Sequence, residues 1–167
     1  MRIDHVRLMA AYNAWMNDRL YAVCSTLPDE ERKRDRGAFF HSIHGTLNHL
    51  LLADRIWLGR FEGKPFAAKS LDQELHASFD ALRTERVELD AHIRNWVHGL
   101  TEADLEATLR FRSIVSSAER SAPLWKLLVH FFNHQTHHRG QLTTLLSQAE
   151  VDYGVTDLMW LPGVLDE

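Results

Sequence analysis

Apolar residues recur with a period near 3.6 along four long stretches of the chain, a pattern typical of amphipathic helices. The first stretch covers residues 5–27 and the second covers about residues 39–61. Between them, the charged segment LPDEERKRDRG interrupts the apolar pattern. The pattern therefore predicts two long helices that are joined by a polar loop.

Start and stop signals mark the third and fourth predicted helices. Ser70 followed three residues later by Gln73 is a capping-box signature, and Gly99 is expected to end the third helix. For the fourth helix, Ser121 is the expected N-cap and Pro123 falls in the first turn. Four long helices with short to medium connections predict an all-α fold, a four-helix bundle.

Two segments lack helical periodicity. The connection before the fourth helix alternates apolar and polar residues at TLRFRSIVSS, which allows a short hairpin in an otherwise irregular connection. The C-terminal segment VDYGVTDLMWLPGVLDE is expected to be irregular and to fold back on the bundle. Because the sequence has no internal repeat and no low-complexity linker, residues 1–167 are predicted to form a single domain.

Composition and charge narrow the classes of function. The formal net charge is −4 and the isoelectric point is about 6.2, which argues against a nucleic-acid partner because nucleic-acid-binding proteins usually carry a basic excess. No apolar run of about eighteen residues occurs, so no membrane partner is expected. The N-terminal residues lack the apolar region of a signal peptide, and the single cysteine excludes an internal disulfide. We therefore expect a cytoplasmic protein.

Histidine is the residue type that points to chemistry, with eleven in the chain. His134 and His138 are four residues apart, so their rings project from one helix face at a spacing that suits two ligands of one metal ion. His130 extends this row by one turn, and Gln141 follows on the same face as a candidate contact to substrate or to a ligand. Because the helix is otherwise strongly apolar, we expect the histidines to face the bundle interior, where they need a partner.

Two alternatives compete with a metal site on this helix. A zinc-protease motif, H-E-x-x-H, would need a glutamate where the chain has Gln135, and an amide cannot accept a proton from water. Simple solvation of the histidines is the second alternative, and four histidines in nine residues make it the weaker one. Arg139 is expected to be a charge on the helix surface, and Gly140 is expected to allow close packing.

A third ligand is expected from a neighbouring helix. The second helix offers His41, His44 and His49, but His44 and His49 lie about 140° apart around a helix and cannot both serve one site. Geometry alone favours His49 only slightly. Asp54 lies in the middle of the apolar face of the same helix. We expect it either to pair with Arg19 of the first helix, which we favour, or to contact a ligand histidine.

Three segments carry a resemblance to a known family: YNAWMNDRL, GTLNHLLLADRIWL and LLVHFFNHQTHHRGQLTTLLSQ. Over nearly its whole length, the chain resembles the DinB-like family of metal-binding four-helix bundles. The resemblance implies that one histidine of the second helix and two of the fourth hold the metal, and these correspond to His49, His134 and His138. It also implies a bundle of the up-down-down-up type, which often forms a homodimer.

An open metal site would suit chemistry on a bound water or thiolate, because three histidines leave at least one coordination position free. The resembled family includes thiol transferases that use bacillithiol, mycothiol or glutathione, and a maleylpyruvate isomerase. The resemblance therefore implies a thiol-dependent S-transferase or a related enzyme, with a small-molecule substrate and a low-molecular-weight thiol as co-substrate. The alternative is a non-catalytic metal-binding or stress-response protein whose metal is structural or sensory.

The identity of the metal is less constrained than its ligands. Imidazole suits Zn²⁺, Ni²⁺, Cu²⁺ and Fe²⁺. We expect a divalent ion and favour Zn²⁺ or Ni²⁺ over Fe²⁺.

Overall fold

The computed structural model describes residues 2–114, 116 and 118–165 of the chain. Four long helices form a bundle, as predicted, and two short helices and one hairpin lie in the connections. The elements in chain order are α1 (Ile3–Ser25), α2 (Asp29–Lys33), α3 (Ile43–Phe61), α4 (Phe79–His98), α5 (Glu102–Glu106), β1 (Thr108–Arg112), β2 (Glu119–Pro123) and α6 (Leu124–Gln148), followed by a short 3-10 helix at Leu158–Trp160.

Each long helix packs against two others, so that the four surround a common core in the order α1, α4, α3, α6. The helices meet through fully buried apolar side chains, among them Met16, Leu51, Leu82 and Leu128. Burial of such faces is the main source of stability in a bundle of this size. None of the helices in the described part of the chain combines the length and the apolar content that a membrane crossing requires.

Helix α3 begins at a tight turn that also shapes the candidate site. Ser42 caps the helix, because its side-chain oxygen accepts a hydrogen bond from the backbone N–H of Gly45 at 3.0 Å. A Cβ atom at position 45 would lie 2.2 Å from the carbonyl oxygen of Phe40, so only glycine lets the preceding turn pack so closely on the helix. The turn places Phe40 against the first half of α3.

The predicted start of the third helix is wrong. Helix α4 begins at Phe79, with Ser78 as its N-cap, while Gln73 accepts a hydrogen bond from the backbone N–H of Lys69 at 2.8 Å. Residues 62–78 form a non-helical segment, which we call the α3–α4 connector. The side-chain oxygen of Asn48 accepts hydrogen bonds from the backbone N–H groups at positions 75 and 76, at 2.8 and 3.0 Å. These hydrogen bonds to α3 take the place of the backbone hydrogen bonds that residues 75 and 76 would form within a helix. The predicted stop at Gly99 is confirmed, since Gly99 is the C-cap of α4.

The hairpin before the last helix is confirmed, but the predicted cap of that helix is wrong. Ser121 pairs with Arg110 inside the hairpin, and β2 runs directly into α6, which starts at Leu124. Pro123 is both the last strand residue and the N-cap position. After α6 the chain is mostly irregular and folds back, as predicted, with Leu161 buried in the core. Residues 166 and 167 of that segment lie outside the described residues.

Candidate metal centre

Three imidazole nitrogens from two helices converge on one point. The Nε2 atom of His138 lies 3.2 Å from Nε2 of His49 and 3.1 Å from Nε2 of His134, and the ligand atoms of all three lie within 4.8 Å of one another. Two nitrogens that each lie about 2.05 Å from one metal ion are separated by about 2.9 Å at a right angle and about 3.3 Å at a tetrahedral angle. The two separations that involve His138 fall in this interval, so the three histidines are positioned to hold a single divalent ion.

Hydrogen bonds on the far side of two rings fix which nitrogen carries the proton. The Nδ1–H of His49 donates to the carbonyl oxygen of Leu71, and that of His138 donates to Oε1 of Gln141, both at 2.8 Å. A carbonyl oxygen only accepts, so Nδ1 is protonated and each Nε2 keeps a lone pair. Lone pairs facing each other across 3.2 Å repel, and a shared cation would remove that repulsion.

The electrostatic environment keeps the cluster uncharged at neutral pH. Burial lowers the pKa of His49 to about 4, with a smaller contribution from His138, although the hydrogen bond to Leu71 acts in the opposite direction. Burial also lowers the pKa of His134 to about 3, helped by the neighbouring histidines, and lowers the pKa of His138 below its ordinary value. Neutral imidazole is the form that binds a metal, so protons compete little with an ion at neutral pH.

A ring stack holds His49 in place. The ring of Phe40 lies on the ring of His49 with centroids 3.8 Å apart and planes 16° apart, and its edge meets His138 at 5.6 Å. The next residue, His41, has a φ of +63°, a left-handed conformation that is uncommon outside glycine. Sequence reasoning missed Phe40 and the Leu71 carbonyl, because neither lies in a periodic pattern that points to the histidines.

The remaining histidines lie around the cluster rather than in it. His44 points elsewhere and donates from Nε2 to the carbonyl oxygen of His76 at 2.8 Å, in agreement with the predicted angular separation from His49. His130 is exposed, with its ring centroid 5.9 Å from that of His134, and its pKa is lowered by partial burial and by the charge of Arg60. His137 is also exposed and lies next to His138.

Asp54 is fully buried, but its predicted pairing with Arg19 is wrong. Arg86 of α4 donates from Nη1 to Oδ2 of Asp54 at 2.7 Å, and Gln135 of α6 donates to Oδ1. In the described part of the chain Asp54 forms no hydrogen bond with a histidine. Arg19 lies instead over the ring of Trp15, with its guanidinium carbon 4.9 Å from the centroid. Helix α4 is the neighbour that presents a cation to this face of α3.

The bonds of Asp54 belong to a larger cluster that we call the buried polar network. Arg86 also forms an ion pair with Asp90 at 2.8 Å, and Asn17 donates to Asp90 at 3.0 Å. Burial alone would lower the pKa of Arg86, but the charges of Asp90 and Asp54 outweigh it and hold that pKa above its ordinary value. The members are Asn13, Asn17, Asp54, Arg86, Asp90, Gln135 and Arg139.

Two expectations for α6 are corrected by this network. Arg139, expected on the surface, is 4% exposed, donates to Oδ1 of Asn13 and lies over the ring of Tyr12. Gly140, expected at a close-packed position, has no atom within 4 Å of where a Cβ would lie. A residue next to His138 points about 100° away around the helix, which directs Arg139 into the bundle.

Two cavities meet at the histidine cluster and share His49, His134 and Leu71 in their walls. The first, of about 1080 Å³, lies between the turn before α3, the connector and α6, and we call it the connector cavity. The second, of about 530 Å³, lies against the hairpin, and we call it the hairpin cavity. Gln141 and His138 line the connector cavity, and His130 lines the hairpin cavity. A ligand in the connector cavity could therefore reach all three imidazoles, and one in the hairpin cavity could reach His49 and His134.

Comparison with known proteins agrees with the fold. The sequence model of the DinB family matches residues 3–163. The chain is 30% identical over 154 residues to Protein DinB of Bacillus subtilis (strain 168), an alignment that covers 86% of this chain and 88% of that protein. A crystal structure of a DinB-like protein from Bacillus cereus ATCC 10987 has the same fold, with a TM-score of 0.64 and 22% identity over 84% of this chain and 89% of that one. The chain belongs to the DinB family.

Proposed function

We propose that the chain binds a divalent metal ion, Zn²⁺ or Ni²⁺ in preference to Fe²⁺, through His49, His134 and His138, and that it acts as a thiol-dependent S-transferase or a related enzyme. One observation carries the proposal. The three Nε2 atoms converge in the wall of a cavity of about 1080 Å³, which is large enough for a small molecule.

The ligand set supports an open site. A structural zinc site is normally closed by four protein ligands. In the described part of the chain, the cluster of side chains able to hold an ion contains these three histidines and no fourth His, Cys, Asp or Glu. Cys24 is buried in the core, and burial raises the pKa of its thiol to about 12, so it serves neither as a ligand nor as a nucleophile. A fourth position would face the cavities.

The chain supplies binding and orientation around this position. When bound, a divalent ion supplies a positive charge that lowers the pKa of a coordinating thiol. Phe40 and the carbonyl of Leu71 hold His49, and Gln141 holds His138, so the imidazoles are oriented before any ligand arrives. The connector cavity carries Lys33, Asp72 and Glu74, which can bind the polar groups of a peptide-like or sugar-like thiol.

The proposal is tested with cobalt in place of the natural metal. Co²⁺-loaded protein is titrated with glutathione, bacillithiol and mycothiol while the absorption spectrum is followed. At least one thiol is expected to produce a sulfur-to-metal charge-transfer band, because a coordinating thiol loses its proton on binding. His134→Ala should abolish the band and the exposed His92→Ala should not. If no thiol perturbs the spectrum and calorimetry detects no binding to the loaded protein, the transferase proposal fails.

A second candidate function follows from the origin of the ligands. His49 belongs to α3 and the other two histidines to α6, so a bound ion would join two helices of the bundle. A non-catalytic metal-binding or stress-response protein would use the ion for that purpose, to stabilise the bundle or to sense metal supply. A large metal-dependent rise in the melting temperature together with failure of every thiol to bind would favour this function.

A further inference from the structure

We propose that the hairpin cavity binds an apolar carboxylic acid, with Arg60 and Arg120 as the groups that recognise the carboxylate. This acid would be the electrophilic co-substrate of the proposed enzyme, and that part of the inference rests on the proposed function. The binding itself does not, because it uses residues outside the histidine cluster.

The position of the hairpin cavity suits a second substrate. Its wall includes His49 and His134 but neither Gln141 nor His138, which line the connector cavity, so a molecule in it approaches the histidine cluster through a different wall. Its volume of about 530 Å³ falls in the range of small-molecule sites. Two substrates could thus reach the same point from two cavities.

The charges around the hairpin cavity are of one sign. Arg60 and Arg120 line it, and its described lining residues include neither Asp nor Glu. Arg60 donates from Nη2 to the carbonyl oxygen of Arg112 at 3.3 Å and forms no ion pair in the part of the chain that the structure describes. By contrast, Arg55 of the same helix pairs with Glu85. Arg60 is therefore a cation that is held in place and has no anionic partner among the described residues.

Aromatic rings hold this cation and form the apolar wall of the cavity. The guanidinium carbon of Arg60 lies 4.5 Å from the ring centroid of Trp57 and 4.9 Å from that of Phe111, and the two rings are 5.3 Å apart at 63°. Leu127 and Ile56 complete the wall. A guanidinium fixed in this way presents paired N–H groups that match a carboxylate, and the rings favour an apolar or aromatic body.

The connector cavity lacks this preference. Among its described lining residues, Lys33 is the single lysine or arginine. The negative charges of Asp72 and Glu74 offset its positive charge. An acid with an apolar body is therefore expected to select the hairpin cavity, while a thiol with several polar groups is suited to the connector cavity.

The test uses 2-naphthoate and its neutral analogue 2-naphthamide, titrated by calorimetry into protein that has been freed of metal by a chelator. Naphthoate should bind more tightly than the amide. Arg60→Met and Arg120→Met should each raise the Kd for naphthoate, by about tenfold for Arg60, and should leave the amide unchanged. The control is Arg110→Met, which removes the same charge from an exposed position of β1 that does not line the cavity. Circular dichroism checks that each variant is folded. Because Arg120 is exposed on β2, its substitution removes the charge without disturbing the packing of the core.

Three results would overturn the assignment. They are equal affinity for the acid and the amide, a loss of naphthoate affinity in Arg110→Met equal to that in Arg60→Met, or naphthoate binding that appears only when metal is added and is unchanged in Arg60→Met. The last would place the carboxylate on the ion. Because the measurement is made without metal, it is independent of the thiol titration. A protein that binds thiols but not naphthoate keeps the proposed function and loses only this cavity assignment.

Discussion

Helix α6 carries two neighbouring rows of polar side chains, one that is bonded inside the bundle and one that lines the cavities. Gln135 and Arg139 point into the bundle and are bonded to side chains of α3 and α1. His134 and His138, one residue back along the helix in each case, line the connector cavity, where the Nε2 lone pair of His138 meets that of His49 at 3.2 Å. Buried polar groups that satisfy one another stabilise a fold, whereas lone pairs that are oriented and left without a proton are arranged to receive a ligand.

The two clusters also differ in charge: the buried polar network contains acids and bases, whereas the histidine cluster is neutral. In the buried polar network, Asp54 and Asp90 face Arg86 and Arg139, and burial raises the pKa of both carboxyl groups, that of Asp54 to about 7. The histidine cluster is held neutral by burial. Substitutions in the network should therefore change the stability of the protein, and substitutions in the histidine cluster should change its affinity for metal.

The largest effect is expected from Arg86→Met in the buried polar network. The change leaves two buried carboxylates without their cation, which should lower the free energy of unfolding by roughly 3–5 kcal/mol. Urea unfolding of the metal-free protein measures it. Arg94→Met, an exposed position on the same helix, is the matched control and should change little. A loss for Arg86→Met no larger than that for Arg94→Met would mean that the network does not stabilise the fold.

The next effect is expected from His134→Ala in the histidine cluster. Loss of a direct ligand should weaken zinc binding by more than about 100-fold, the upper end of what loss of an outer contact costs. Competition with a chromophoric chelator measures the affinity, with the exposed His92→Ala as control. Urea unfolding of the metal-free variant should stay close to that of the wild type. Stoichiometric zinc retained at wild-type affinity would refute the ligand assignment.

A smaller effect is expected from Gln141→Leu, which removes the acceptor that orients His138. Zinc affinity should fall by about tenfold, since the ligand is retained but its ring is free to turn. Gln148→Leu, at the exposed last residue of α6, is the control. An unchanged affinity would show that packing alone orients His138.

The smallest effect concerns pH. A histidine titrates near pH 6.5 in the unfolded chain, whereas the folded pKa is about 4 for His49 and about 3 for His134. Between these values the unfolded state binds more protons at the two histidines, so their contribution to the stability of the metal-free protein should decrease as the pH falls from 6.5 towards 4. Asp54 contributes in the opposite direction, because burial raises its folded pKa to about 7. The cluster opens onto cavities, so solvent moderates the change.

Urea unfolding of the metal-free protein at several pH values in this window checks the dependence. Because the His134→Ala variant lacks one histidine with a lowered pKa, it should lose less stability than the wild type over this window. Identical slopes in the wild type and His134→Ala would contradict the assigned pKa values.

Local patterns were sufficient to predict the helices and the histidine pair. The period of the apolar residues identifies four long helices, and the four-residue spacing of His134 and His138 places them on one face whatever surrounds them. The start of α4 was not predictable in this way. Ser70 and Ser78 are both able to cap a helix, and the choice between them depends on Asn48, which binds the connector from another helix.

Tertiary arrangement also decided what the sequence left open at the site. A buried Asp54 was expected to have a cationic partner, but Arg86 and Arg19 are distinguished only by which helix faces α3. The stacking of Phe40 on His49 requires the close turn at Gly45, and no periodic pattern announces it. Spacing along one helix can be read from sequence, whereas partners across helices depend on packing.

The α3–α4 connector holds the candidate site through its main chain. Leu71 offers a carbonyl oxygen to His49, and positions 75 and 76 offer N–H groups to Asn48. Every amino acid has that carbonyl, and every one except proline has the N–H. The side chains of Asp72 and Glu74 line the cavity and, among the described residues, form no hydrogen bond with His49 or Asn48. Evolution could therefore replace them one at a time and alter which molecule is admitted, while the histidines keep their places.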